Sequence, residues 1–346
     1  MMHIFNEACA TASPQAGHRL ADIPAHDPFI VTDQATQTYY LYTGGSPRLH
    51  DMDRYGVLAY KSKDLASWEG PFIVFEIPDN VWANPQHGAW APEVHEYAGR
   101  YYLFVTLHNN DRLLEGEGHG GFPMQWRGTA IAAADTPMGP FVMLKPDAPA
   151  VPEQLMTLDG SLYVDEEGAP WMVYCHEWVQ TADGTIEAVR MKEDLSDSCS
   201  EPLHLFSGSD APWDNGEHPG GQAASMYVTD GCQLYRTSGN RLVMLWSTYD
   251  RGSYVQTIAR SVSGRLEGPW EQLAPLVFDD SGHGMLFQTF EGDWMLILHS
   301  PFRMPESRCK LYDMTDTGES FVVAQARPDL DGSLPESGQR ESERPA

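Results

Sequence analysis

Residues Leu158–Tyr174 read LDGSLYVDEEGAPWMVY. The stretch has three parts. Leu158-Asp159-Gly160 opens it, Asp165-Glu166-Glu167-Gly168 is a polar turn, and Trp171–Tyr174 is a short apolar, aromatic run. Gly, Asp and Glu between two apolar segments mark a hairpin loop, and a run of this length bounded by turns reads as a buried strand.

The same sentence is written four more times. The apolar runs are Tyr39–Tyr42, Tyr101–Val105, Leu242–Trp246 and Trp294–Leu298. Ten to twelve residues ahead of them stand His26-Asp27-Pro28-Phe29, Trp90-Ala91-Pro92-Glu93, Thr229-Asp230-Gly231 and Gly282-His283-Gly284-Met285. Counted from Asp27 through Ala91, Asp159 and Asp230 to His283, the spacings are 64, 68, 71 and 53 residues. Third strands follow at Gly56–Lys61, Gly128–Ala133, Tyr254–Arg260 and Cys309–Asp313. Gly-Pro-aromatic at 70–72, 139–141 and 268–270 announces fourth strands. Five units of four strands predict an all-β, five-bladed β-propeller with four antiparallel strands per blade. The first strand of each blade lines the central channel, so the Asp and His residues at those strand starts converge there.

Composition narrows the function. Lys+Arg 22 against Asp+Glu 49 gives a net charge of −27, which repels phosphate backbones and anionic lipid; nucleic acid and membrane are excluded as expected partners. Aromatic residues make up 11%, including ten Trp and fifteen Tyr, and suit both sheets and sugar-binding clefts. The five Cys contain no C-x-x-C pair, so neither a zinc ribbon nor a disulfide framework is indicated. The first residues carry no basic-then-apolar leader, and a cytoplasmic location is expected. Residues 1–326 are expected to form the propeller, and 327–346, rich in Pro, Ser, Glu and Arg, a disordered tail. The stretch Asn109–Trp126 reads as a long loop between strands.

Three carboxylates stand in three separate blades, Asp27, Asp159 and Asp230, each before Pro or Gly. Cleaving a glycosidic bond needs one carboxyl group to protonate the leaving oxygen and another to activate water or attack the sugar. A propeller axis can supply both from rigid strands.

Taken together, HDPFI at 26–30, WAPE at 90–93, LDGSLYVDEEG at 158–168, VTDG at 228–231 and GHGMLF at 282–287 resemble glycoside hydrolase family 43, over roughly residues 22–323. The resemblance implies an inverting glycosidase on a five-bladed propeller. Asp27 would be the general base, Asp159 the carboxylate that tunes the acid, and Asp230 the general acid, where most of the family carries Glu. It also implies substrate contacts from Phe29, Trp90, Glu93, Trp213 and Gln288. His283 would lie beside a calcium ion of structural rather than chemical importance. Cys232 and Gln288 depart from the family pattern of Pro and Arg, and Glu217 is an alternative acid. The expected activity is that of an exo-acting α-L-arabinofuranosidase on plant-type oligosaccharides. β-Xylosidase, β-galactosidase or galactanase activity, and a non-catalytic sugar-binding propeller, stay open as alternatives. A phosphorolytic propeller would need a basic phosphate pocket, and the chain shows no Arg/Lys cluster near the motifs.

Overall fold

The computed structural model describes residues 14–214, 216 and 226–333. Five antiparallel sheets succeed one another along the chain and close into a ring, the expected five-bladed propeller. In each blade the strands pair in chain order from the axis outward. Blade 3, for example, runs Thr157–Val164, Pro170–His176, Thr185–Arg190 and Leu203–Ser207.

The five apolar runs are the second strands. Each has a partner strand on both sides and a neighbouring blade over its faces, so alternation gives way to continuous burial. Tyr42, Tyr174 and Trp246 are all fully buried. Each such side chain contributes roughly 1.5–3 kcal/mol of apolar burial. Polar bonds join the blades at the axis. Thr32 Oγ1 donates to the Gln288 carbonyl at 2.7 Å, tying blade 1 to blade 5, and the His283 amide donates to Ser247 Oγ at 2.8 Å, tying blade 5 to blade 4. The ring closes where the Ala25 amide meets the Ser307 carbonyl at 3.2 Å and Arg308 Nε donates to the Ala21 carbonyl at 2.8 Å.

Three expectations need correction. Blade 1 has five strands, because Gln15–His18 adds to its outer strand Trp68–Glu76; that segment has no apolar run to announce it. Asn109–Trp126 is only partly a loop. Its ends prolong two strands of blade 2, Arg100–Leu113 and Gln125–Ala134, with Leu113 facing Gln125. The tail does not begin at 327: Pro328–Asp331 form a helical turn, Asp331 is buried, and Arg327 pairs with Asp313 at 3.0 Å. The rest of the expected tail, from 334, lies outside the described residues, as does Glu217.

Candidate active site

The site is built by one backbone device used in four blades, with a matching positive φ in the fifth. Where the inner strand of blades 2 to 5 begins, its register with the second strand slips, between Trp90 and Glu93, Leu158 and Ser161, Asp230 and Gln233, and Gly282 and Met285. The residue inside each slip has positive φ: Ala91 (44°), Asp159 (55°), Gly231 (60°) and His283 (49°). Asp27, just ahead of blade 1's inner strand, has φ 49°. Such bulges re-aim side chains, and non-glycine residues held in this region cluster at functional sites.

Asp230 is therefore not in phase with Asp27 and Asp159, as the spacing suggested. Gly231 holds that position, and Asp230 stands one residue earlier, in phase with Trp90 and Leu158. Both phases contribute to one cavity of about 640 Å³ at the axis, lined by His26, Trp90, Leu158 and Asp230 from the earlier position and by Asp27, Asp159 and His283 from the position with positive φ. Glycine is required at 231 on two counts. Its φ is left-handed, and a Cβ there would lie 2.9 Å from His283 Cδ2.

The three aspartates have divergent surroundings. Asp27 Oδ1 is ringed by imidazoles, with Nδ1 of His26 and of His283 at 3.2 Å and Nδ1 of His299 at 3.4 Å. Burial works to raise its pKa, but His26 foremost, then His283, hold it well below the carboxylate range. Asp230 accepts a hydrogen bond from Tyr254 Oη at 2.9 Å. Burial pushes its carboxyl up to about 7, with the charges of Glu177 and Asp27 adding to the rise. Asp159 accepts the Gly231 amide at 3.2 Å, while its own amide donates to Thr106 Oγ1 at 2.8 Å. Burial, then the charges of Asp230 and Asp27, raise it well above the usual range. One carboxylate held ionised and another held protonated, on one cavity, is the division that acid–base chemistry needs.

Of the expected substrate contacts, Trp90 lies on the cavity, 45% exposed. Four do not. Phe29 is core, edge-on to His95 at 5.2 Å. Glu93 is buried away from the cavity, accepting from Gln233 Nε2 and His95 Nε2, each at 2.8 Å. Trp213 packs on Trp246 at 6.1 Å, with its Nε1 on the Leu273 carbonyl. Gln288 ends the inner strand of blade 5, roughly 17 Å from His283 at 3.3 Å per residue, and its side chain turns to the Gly292 carbonyl.

Calcium takes six to eight oxygen ligands. Among the described residues, the one group of metal-ligating side chains that converges is His26, Asp27 and His299, two imidazoles and a carboxylate. His283 itself has only Asp27 Oδ1 at 3.2 Å and Asp159 Oδ2 at 3.8 Å beside its Nδ1. One imidazole and two carboxylates would supply at most a part of that shell, so a calcium ion beside His283 would take most of its oxygen ligands from water.

The cavity also holds residues that no repeat announced. Arg127, from the third strand of blade 2, pairs with Glu177, which follows the second strand of blade 3. Arg127 Nε also donates to His108 Nδ1 at 3.2 Å, and its guanidinium lies 4.9 Å from the Trp90 ring. Phe122 meets Trp178 edge-on at 5.7 Å on one wall; Phe302, Arg303 and Met304 complete the lining. Two basic residues, Arg127 and Arg303, line the cavity, and Arg127 is paired with Glu177.

The chain matches the model of glycosyl hydrolases family 43 over residues 22–321. Among solved structures it is similar to the endo-arabinase of Bacteroides thetaiotaomicron VPI-5482, with 34% identity, a TM-score of 0.74, and coverage of 87% of this chain and 98% of that one. An exo-1,5-α-L-arabinanase from a bovine ruminal metagenomic library shares the fold at 19% identity and a TM-score of 0.60, covering 87% and 96%. The extracellular endo-α-(1→5)-L-arabinanase 1 of Bacillus subtilis (strain 168) is 22% identical over 165 residues, 44% of this chain. That match spans 43% of the curated relative, less than half its length.

Proposed function

The chain belongs to glycosyl hydrolases family 43, a family of inverting glycoside hydrolases, and we propose that it removes α-L-arabinofuranosyl units from the ends of short arabinan-type oligosaccharides. The observation that carries the chemistry is the opposed environment of Asp27 and Asp230 on one cavity. Asp230, protonated, gives its proton to the departing glycosidic oxygen. Asp27, ionised, takes a proton from the water that attacks the anomeric carbon from the opposite face. One bond to the anomeric carbon breaks as another forms, and the sugar leaves with inverted configuration. Asp159 contacts neither proton; its charge is suppressed by burial, and it anchors the bulge of blade 4 through Gly231.

Arabinose is supported by the 34% identity to an endo-arabinase over nearly all of that chain. End-on attack is supported by the walls: Phe122 and Trp178 line the cavity together, and Phe302 to Met304, between two strands of blade 5, add to the lining. The same similarity favours a second reading, internal cleavage of arabinan. Product analysis on linear α-1,5-arabino-oligosaccharides separates the two. Release of arabinose from the earliest times supports end-on attack, and a mixture of mid-length products supports the second reading. A parallel panel of p-nitrophenyl α-L-arabinofuranoside, β-D-xyloside and β-D-galactoside tests the sugar. Preference for either β-glycoside overturns the arabinose assignment, and no turnover of any substrate marks a sugar-binding protein.

A further inference from the structure

We propose that Phe122 carries the oligosaccharide out of the cavity that holds Asp27 and Asp230. The sugar units next to the terminal one then lie in a groove formed by the long hairpin of blade 2. The proposal rests on the cavity taking the terminal sugar, and deepens that reading by placing the rest of the substrate.

One excursion of the chain makes the groove. The strands Arg100–Leu113 and Gln125–Ala134 run on past the inner strand of blade 2, whose pairing stops at Ala89 on Leu107. Beyond them the Leu114 amide donates to the Met124 carbonyl at 3.0 Å. The loop so closed lies down on blade 3, against the helical turn Trp178–Thr181. Glycine makes that approach possible. A Cβ at Gly120 would come 3.0 Å from the Trp178 ring, and one at Gly118 would come 3.0 Å from Val179 Cγ1. Phe122 then meets Trp178 by an edge, at 5.7 Å between ring centroids, and stays 54% exposed. Leu113, at the end of its strand, is 64% exposed.

These exposed apolar side chains border one path. Phe122 is a wall of the cavity and also of an open groove of about 400 Å³, whose other walls include Leu113, Leu114, Pro123 and Met124. That volume falls within the range of small-molecule sites, about 300–1,000 Å³. A sugar chain that leaves the cavity over Phe122 passes directly into the groove. The chemistry suits a neutral carbohydrate. Among the described residues lining the groove, Glu117 alone is ionisable, and it adds to a chain already at −27, so anionic occupants are disfavoured. Sugar C–H faces pack on aromatic and aliphatic side chains. Gly116 and Gly121, both exposed on the groove, bring backbone with no side chain to the surface, where hydroxyl groups can meet peptide donors and acceptors.

The experiment has two arms. The kinetic arm reads the ratio of kcat/KM for α-1,5-arabinotetraose to kcat/KM for p-nitrophenyl α-L-arabinofuranoside. We expect this ratio to fall roughly five- to tenfold in Phe122→Ala, the scale of one lost aromatic contact, and about threefold or more in Leu113→Gln. Leu113 is exposed, so its variant folds even where Phe122→Ala is unstable. An unchanged ratio in either folded variant overturns the proposal. The binding arm needs no turnover. Calorimetry on Asp27→Asn compares arabinotetraose with arabinose. Tetraose is expected to bind about tenfold or more tightly, a gap that Phe122→Ala narrows. Equal affinities overturn the proposal. Where the aryl glycosides select another sugar, both arms use that sugar and its tetrasaccharide. Light scattering that shows a dimer dispersed by Leu113→Gln would put a second copy in the groove, and also overturns it. The two readings fail separately. No turnover, with a length-dependent affinity lost in Phe122→Ala, fails the proposed function and keeps the groove. Turnover of the aryl glycoside with an unmoved ratio does the reverse.

Discussion

The Gly231 amide donates to Asp159 Oδ2 at 3.2 Å, joining two residues that hold the same bulge position in adjacent blades. Because Gly231 takes that position, Asp230 sits one residue earlier and is aimed by a different part of the bulge. It meets Tyr254, where Asp27 meets histidines. The contrast in charge state between the two carboxylates starts from this one-residue offset.

Gly231→Ala is accordingly expected to damage the site more than its size suggests. Positive φ costs alanine about 1 kcal/mol or more, and the new methyl group meets the His283 ring. Thermal or urea unfolding should show a loss of roughly 1–3 kcal/mol, with activity falling further than stability. An alanine variant with wild-type stability and rate would show that the backbone there is not constrained.

Asp230 titrates at about 7, so the protonated acid is lost as pH rises through neutrality, and the basic limb of kcat/KM should fall there. Asp230→Asn should remove that limb. It should hit substrates with poor leaving groups hardest, by about 10²–10⁴-fold, and partly spare p-nitrophenyl glycosides. Equal loss on both would mean that Asp230 holds the sugar instead. Stability carries a matching sign. The folded state binds this proton more tightly than the unfolded chain, so the contribution is complete below about pH 4, declines between about 4 and 7, and is level above. Unfolding midpoints of Asp230→Asn should lack that decline.

Glu177→Gln tests the neighbour whose charge raises Asp230 most. Removing it should shift the basic limb to lower pH by roughly half a unit or more. Arg127, left without its partner, pushes in the same direction. A lower rate with an unmoved limb would place Glu177 on the substrate instead of on the acid.

Much of this was readable in the amino-acid sequence, for a physical reason. Burial on both sides writes each second strand as an apolar run, and the inner-strand starts recur at a near-constant distance from it. Asp27, Asp159 and His283 were found that way. The offset of Asp230 was not, because a bulge adds a residue to the backbone without changing residue types. Arg127 and Glu177 escaped because they come from a third strand and from the end of a second strand, positions that no repeat marks. Gln288 and Glu93 misled because both follow a motif residue closely in sequence. Each residue of strand carries the chain about 3.3 Å along the axis and turns the side chain over, so a few residues suffice to leave the cavity.

The two tryptophans expected to hold sugar offer the last test, because the structure separates them. Trp90 lies on the cavity with Arg127 over its ring and His108 packed against it, and it is still 45% exposed, which leaves indole surface for a sugar ring. Trp213 is packed on Trp246, outside the cavity lining. Trp90→Ala should raise KM roughly tenfold, about 1.4 kcal/mol of lost stacking, and change unfolding stability by less than about 1 kcal/mol. Trp213→Ala should do the reverse, costing about 2–3 kcal/mol of stability by opening space in a packed cluster while KM stays within about twofold. Michaelis–Menten and urea-unfolding curves on the two variants decide it. A raised KM in Trp213→Ala with stability intact would put that ring on the substrate and overturn the assignment of Trp90 as the stacking residue.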